Sequence, residues 1–185
     1  MSKPVIKTAR KTKPVVVAVS GGFDPVHVGH ARMFEKARKL GDRLVVILNN
    51  DNWLKVKKGF AFMPEAERAE LLRHLKWVDD VLLTRHRPGT KDMSVVEALE
   101  RLKPDIFANG GDRKFGNIPE VPVCERLGIK MVFNVGNGGK VQSSSWLLTS
   151  YMNQADCLCG TKGRNGAPLK YGECHGLKGA TKRRK

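Results

Sequence analysis

His27 and His30 stand three residues apart in the run Gly21-Gly22-Phe23-Asp24-Pro25-Val26-His27-Val28-Gly29-His30. An apolar stretch at 15–19 precedes it and a helix-like stretch at 31–40 follows. Apolar β-branched residues, a glycine turn and then a 3.6-residue period read as strand, loop and helix N-terminus. At such a junction the exposed backbone N–H groups and the helix dipole favour an anion, and a nucleotide phosphate is the natural guest. Two imidazoles at this spacing can meet the same phosphate. A lone histidine is more often a surface or satisfied core group. Here both lie in a turn beside Gly29 and Asp24-Pro25, not on a periodic face.

The elements that must position this pair alternate in type. Gly41-Asp42 stops the first helix, and 43–49 (RLVVILN) reads as a second buried strand, completing a βαβ unit with its right-handed crossover. Residues 51–62 read as a loop carrying Lys55, Lys57, Lys58 and Gly59. Residues 64–75 read as a helix, with Pro64 at its start, acids in its first turn and Arg68 after Glu67. A short strand at 80–84 and a polar loop at 85–92 follow. Ser94 and Glu97 then have the spacing of a capping box for a helix over 94–102. Strand 105–109 runs into Gly110-Gly111-Asp112, helix 119–127 is closed by Gly128, and 130–135 reads as a fifth strand. Ser143, Ser144 and Ser145 stand before a helix-like stretch at 146–152, where serines serve as N-caps or as phosphate ligands. Five strands alternating with helices predict an α/β protein built on a Rossmann-like, doubly wound, parallel five-stranded sheet.

The Gly-x-Phe-Asp-x-x-His-x-Gly-His run after the first strand resembles the nucleotide-binding signature of the cytidylyltransferase-like nucleotidyltransferases, and every fixed position is matched. The resemblance extends over about residues 14–152. Within that group, the spacing and the Gly110-Gly111-Asp112 region look most like glycerol-3-phosphate and ethanolamine-phosphate cytidylyltransferases and heptose-1-phosphate adenylyltransferases. What the resemblance implies is a transfer of CMP or AMP from CTP or ATP to a small phosphorylated alcohol or sugar, with release of pyrophosphate. His27, His30, Lys55 and Lys58 would be catalytic. Gly21, Gly22, Phe23, Asp24, Gly29, Arg68, Gly111, Asp112, Ser143, Ser144 and Ser145 would bind the nucleotide, Arg68 as a phosphate or structural anchor. Mg²⁺ would accompany the triphosphate, and a homodimer is the usual assembly. The chain departs from the family in its second signature. Members carry a Lys or Arg soon after the serine-threonine run, whereas here none follows Ser145 until Lys162.

The formal net charge is +16, which invites a nucleic-acid reading, so its distribution matters. Residues 1–13 hold five Lys/Arg and no acid, and 157–185 hold eight Lys/Arg against Glu173 alone. Residues 14–156 keep a near balance of 21 basic and 17 acidic side chains. The excess therefore belongs to the ends: a flexible basic arm at 1–13 and a basic tail at 178–185, around a nucleotidyltransferase domain at 14–153. No apolar run reaches the roughly 18 residues of a membrane span, and no signal-peptide core is present, so no membrane contact and a cytoplasmic location are expected.

Residues 154–177 form a segment of another kind. Cys157, Cys159, Cys174 and His175 give three thiols and an imidazole, the donor set of a tetrahedral structural Zn²⁺. The pattern resembles the SEC-C zinc motif, with a longer spacer between its halves. So short a segment with few large apolar side chains needs a metal for stability, and a small zinc knuckle is expected. Knuckle and tail together suit a phosphate backbone or an acidic protein. An alternative to the enzyme is a catalytically weak nucleotide-sensing or nucleic-acid-binding protein on the same fold, favoured by the altered serine run.

Overall fold

The computed structural model describes residues 13–110, 118–136, 142–157, 159, 161–163 and 165–174. Its first strand, β1 (Val16–Gly21), leads into α1 (Val28–Arg38) and β2 (Arg43–Leu48). Then come α2 (Asp51–Lys58), α3 (Glu65–Arg73), β3 (Asp80–Leu83), α4 (Val96–Leu102), β4 (Ile106–Ala108), α5 (Val121–Leu127), β5 (Lys130–Val132), α6 (Ser144–Gln154) and the short α7 (Tyr171–Cys174).

The five strands form one parallel sheet in the order β3-β2-β1-β4-β5. Alternate residues of the central strands face opposite layers, as the two-residue period of a strand requires. Val17, Val19, Leu44, Val46 and Leu48 pack with Phe34 and Ala37 of α1 and Ala69 and Leu72 of α3. Ala18, Ile47 and Phe107 pack with Ala98 and Leu99 of α4 and with Val123 and Cys124 of α5. The chain leaves β1 in one direction along the sheet and returns to β4 on the other side of it. That reversal opens a crevice at the carboxyl ends of β1 and β4, where such sheets bind ligands. The Rossmann-like expectation holds.

Two local expectations are corrected. Residues 51–58 are not a loop but helix α2: the Asn50 side chain accepts the Trp53 N–H at 3.0 Å, and Gly59 closes the last turn at φ +89°. Of the lysines that obscured its period, Lys55 and Lys57 are exposed and Lys58 turns its ammonium to the Asp24 carbonyl, while Leu54 is buried. Helix α4 starts two residues after Ser94, and Ser94 forms no capping box with Glu97. Ser94 Oγ accepts only the Val96 N–H, at 3.4 Å, and the Val95 N–H is taken by the distant carboxylate of Glu120 at 2.8 Å. No helix among the described residues is long and apolar enough to cross a membrane.

Candidate active site

The loop between β1 and α1 is built from its own side chains. Phe23 adopts a positive φ of +48°, rare for a bulky residue and costing on the order of 1–3 kcal/mol. Its ring is buried edge-on against His30, with centroids 4.8 Å apart, and against Phe34 at 5.1 Å. Asp24 is fully buried: its two carboxylate oxygens accept the N–H groups of Phe62 and Met63 at 2.8 and 2.7 Å. Its carbonyl accepts from Lys58 Nζ at 2.9 Å. Asp24 thus ties the segment after α2 down over the loop. Its carboxylate, predicted to bind nucleotide, is occupied by the protein's own backbone.

His27 is the cap residue of α1 and His30 lies in its first turn. The two rings stack, with centroids 3.6 Å apart and planes 22° apart. The His27 N–H donates to His30 Nδ1 at 3.3 Å, which leaves the His30 proton on Nε2. Burial first, then the positive potentials of His27 and Lys58, push the His30 pKa down to about 3. At neutral pH this imidazole is an uncharged Nε2–H donor at a helix N-terminus. Gly29 lies in the same turn. A Cβ on Gly22 would come within 2.8 Å of Leu54 Cδ2, so the close approach of α2 to the loop requires glycine there.

The lysines divide. Lys58 is half-buried against Asp24, and burial holds its ammonium below the ordinary range while the Asp24 charge pulls the other way. Lys55 and Lys57 are exposed. Arg68, expected at the nucleotide or as an anchor, is fully buried. Its Nε donates to Met63 O at 2.9 Å, its Nη1 to Gly22 O at 2.7 Å and to Asn49 O at 2.8 Å, and its Nη2 to Asp51 Oδ1 at 2.6 Å. Four of its five N–H donors are therefore used inside the fold. The guanidinium clamps the ends of β1 and β2 to the start of α2, and it has little left to offer a phosphate.

The serine run meets the histidine loop across the chain. Ser144 Oγ donates to the Pro25 carbonyl at 2.8 Å, and Ser143 caps α6 by accepting the Trp146 N–H at 3.1 Å. Ser145 is exposed beside them. The N-termini of α1 and α6 are thereby drawn to one loop, and both favour negative charge. Lys36 Nζ donates to Gly136 O at 2.6 Å, tying α1 to the segment after β5. Gly111 and Asp112 lie outside the described residues, as do His175 and the side chain of Cys174. Cys157 Sγ and Cys159 Sγ are 3.1 Å apart. Among the described residues no group of three or more His, Cys, Asp or Glu is gathered to hold a metal.

Sequence reading passed over the polar residues at the strand ends. Asn49 and Thr84 directly follow β2 and β3, and Asn50 comes next after Asn49. Thr84 Oγ1 accepts the Asn50 N–H at 3.0 Å, while Asn50 and Asn52 both donate to the His86 carbonyl at 2.8 and 3.0 Å. The signal was present: a polar residue closing a buried apolar run marks the ligand edge of a parallel sheet.

Comparison with known proteins agrees with this geometry. Residues 18–121, more than half of the chain, match the model of the cytidylyltransferase-like family. A FAD synthase from Thermococcus kodakarensis is 40% identical over 118 residues, which cover 63% of this chain and 71% of that one. The bifunctional protein HldE from Syntrophotalea carbinolica is 36% identical over 112 residues, covering 60% of this chain and 22% of that one. The crystal structure of the lipopolysaccharide core biosynthesis protein from Thermoplasma volcanium superposes with a TM-score of 0.56 at 28% identity, covering 67% of this chain and 98% of that one. A Rossmann-like sheet, a helix N-terminus carrying two stacked histidines and these matches lead to one assignment: the chain is a nucleotidyltransferase and belongs to the cytidylyltransferase-like family.

Proposed function

We propose that the protein transfers AMP from ATP to the phosphate of a small phosphorylated alcohol and releases pyrophosphate. The observation that carries this reading is the stacked His27–His30 pair at the N-terminus of α1, with His30 held neutral as an Nε2–H donor. A phosphate oxygen of the acceptor attacks the α-phosphorus of ATP in line. The bond from that phosphorus to the bridging oxygen breaks, and its electrons leave with pyrophosphate. Such a reaction asks the protein for positioning and for donors aimed at developing negative charge, and no protein nucleophile is required.

His27 and His30 donate to the α-phosphate and the bridging oxygen, and the N-terminus of α6 with Ser143 and Ser145 receives the β- and γ-phosphates. Lys55 and Lys57, free of the core, reach the triphosphate, while Lys58 and Asp24 hold the loop in shape. Gly111 and Asp112, which lie outside the described residues, are assigned to the nucleotide only on the family resemblance. Mg²⁺ suits a triphosphate here through phosphate oxygens and water, because the Asp24 carboxylate is consumed by backbone N–H groups. When bound, the ion neutralises charge on the leaving pyrophosphate. ATP is favoured over CTP because a FAD synthase is among the relatives, and FAD contains an adenylyl group joined to the phosphate of a flavin-bearing polyol.

The segment around α7 is read as a separate structural zinc site. The Cys157 and Cys159 sulfurs are close enough to share one ion, since two thiolates on a tetrahedral Zn²⁺ stand roughly 3.8 Å apart. The Cys157 N–H bonds to Leu169 O at 2.8 Å and Asp156 pairs with Lys170, bringing α7 alongside. Cys174 and His175 supply the remaining donors in this reading, and the basic tail beyond them suits nucleic acid or an acidic protein.

Pyrophosphate release with ATP and separately with CTP, each with Mg²⁺ and a panel of phosphorylated alcohols and sugars, tests the transfer. Release that needs one acceptor and disappears in His27→Ala and His30→Ala supports it. Release that persists in both variants removes it.

A further inference from the structure

Helix α6 carries the serine run at its N-terminus, yet its own sequence gives it little reason to stand. Its eleven residues, SSWLLTSYMNQ, hold no acid and no base, so no ion pairs run along its side. Serine, threonine, tryptophan, tyrosine and asparagine make up most of it, and none is a strong helix former. Ser144 is its one buried residue, while Trp146, Leu147 and Tyr151 are exposed. A helix of this length is marginal in water without tertiary packing.

An anchor stands at each end of it. At the front, Ser144 Oγ is bound to the Pro25 carbonyl of the histidine loop at 2.8 Å. At the rear, the chain leaves the helix in an extended conformation at Ala155 and folds back as a narrow antiparallel hairpin. Its rungs run from the Cys157 N–H to Leu169 O at 2.8 Å, from the Leu169 N–H to Thr161 O at 3.1 Å and from the Gly163 N–H to Ala167 O at 2.8 Å. Lys170 Nζ pairs with Asp156 Oδ1 at 2.6 Å across its base. The returning arm delivers Tyr171 to the end of α6. There the Tyr171 N–H donates to Ala155 O at 2.9 Å, and its ring meets that of Tyr151 with centroids 5.9 Å apart. Among the described helices and strands, α7 is the element against which α6 packs most extensively.

Helix formation is cooperative, so a short helix released at one end is weakened along its whole length. What a phosphate meets at the front, the N–H groups of the first turn and the dipole behind them, exists only while the helix does. The rear anchor lies roughly 15 Å from Ser144 at the rise of an α-helix, too far to touch a phosphate itself.

We infer that the 155–171 hairpin is a brace for the triphosphate site, and that Tyr151 and Tyr171 are positioning residues that set the grip on the nucleotide through α6. The inference rests on the proposed transfer in taking the N-terminus of α6 as the seat of the β- and γ-phosphates. It adds the carboxyl-terminal segment to that site as its support.

The test uses the full-length protein with Tyr151→Ala, Tyr171→Ala, the double variant and Tyr151→Phe. Calorimetric titration with ATP, and separately with CTP, reads nucleotide binding without turnover. Hydrogen exchange compares the amides of 147–154 with those of 44–48 in β2. Each alanine variant should weaken nucleotide binding and raise the KM for nucleotide about threefold to tenfold, the range an aromatic pair supplies, with kcat and the acceptor KM within about twofold. Exchange in α6 should quicken, while β2 and the denaturation midpoint stay as in the wild type. The double variant should bind no worse than the singles, because all three remove one contact, and Tyr151→Phe should restore wild-type binding. Nucleotide affinity unchanged in both alanine variants overturns the inference, even where transfer proceeds. Additive losses in the double variant, or an equal loss in Tyr151→Phe, also overturn it, because the ring contact is then not the cause. A loss spread evenly over kcat and both KM values does the same, since the damage is then general. Faster α6 exchange and weaker nucleotide binding in a protein that transfers nothing would keep the brace and remove the transfer. A wild-type protein that binds neither nucleotide would remove both.

Discussion

Replacing Arg68 with methionine should act on stability before it acts on nucleotide binding. The guanidinium is fully buried and donates to the carbonyls of Met63, Gly22 and Asn49 and to the Asp51 carboxylate. Methionine keeps the length and the apolar stem but strands all four acceptors. A buried polar group that loses its partner costs about 1–3 kcal/mol. Gly22 and Met63 lie near the surface and can recruit water, whereas Asn49 is 3% exposed and cannot. Removing one partner of a buried ion pair costs about 3–5 kcal/mol by comparison with other proteins, and we expect a loss in that range. For a chain of this size each kcal/mol moves the melting temperature by about 2–4 °C, so a fall of roughly 10 °C or more is expected by calorimetry or denaturant titration. Activity should fall with it, because Gly22 and Asn49 frame the candidate site. A variant that melts with the wild type yet shows a raised KM for nucleotide would refute this reasoning and make Arg68 a phosphate ligand.

The His30 ring, held near pKa 3 against 6.5 when unfolded, stays neutral in the fold while the unfolded chain takes up a proton. Stability from this group is therefore full above about pH 6.5 and is lost as the pH falls toward 3. Denaturant titrations at pH 7 and pH 5 should show a larger acid loss for wild type than for His30→Gln. Ser144→Ala removes the bond to the Pro25 carbonyl at a cost of about 1 kcal/mol, and the KM for nucleotide should rise as α6 loosens from the loop. Gly22→Ala drives a Cβ to within 2.8 Å of Leu54 Cδ2 and should cost roughly 1–3 kcal/mol in a denaturation experiment. Elemental analysis should find about one zinc per chain, lost in Cys157→Ser while the melting of the sheet domain is unchanged.

Much of this protein was legible in its residues. The apolar runs around β1 and β2, the glycine turn and the histidine spacing marked strand, loop and helix N-terminus directly, because buried parallel strands are written as continuous apolar stretches. The family followed from the same ten residues. Helix α2 was not legible: eight residues crowded with Asp51, Asn52 and three lysines carry one buried apolar side chain, Leu54, too few to display a helical period. Its existence depends on the Asn50 cap and on the Gly22 turn that Leu54 packs against.

The roles of charged residues were the other matter left to the tertiary structure. Arg68 and Asp24 have the residue types of phosphate and metal ligands, yet the fold spends both on its own backbone, tying 62–63, Gly22 and Asn49 into one frame. The Glu120 carboxylate, 25 residues along the chain, takes the Val95 N–H beside the weak Ser94 Oγ contact to Val96 N, where the local sequence offered only a Ser94–Glu97 capping box. Local sequence records which groups can make a hydrogen bond. Which partner each takes depends on what the folded chain brings within reach, and for a buried charge that partner decides between holding a substrate and holding the fold.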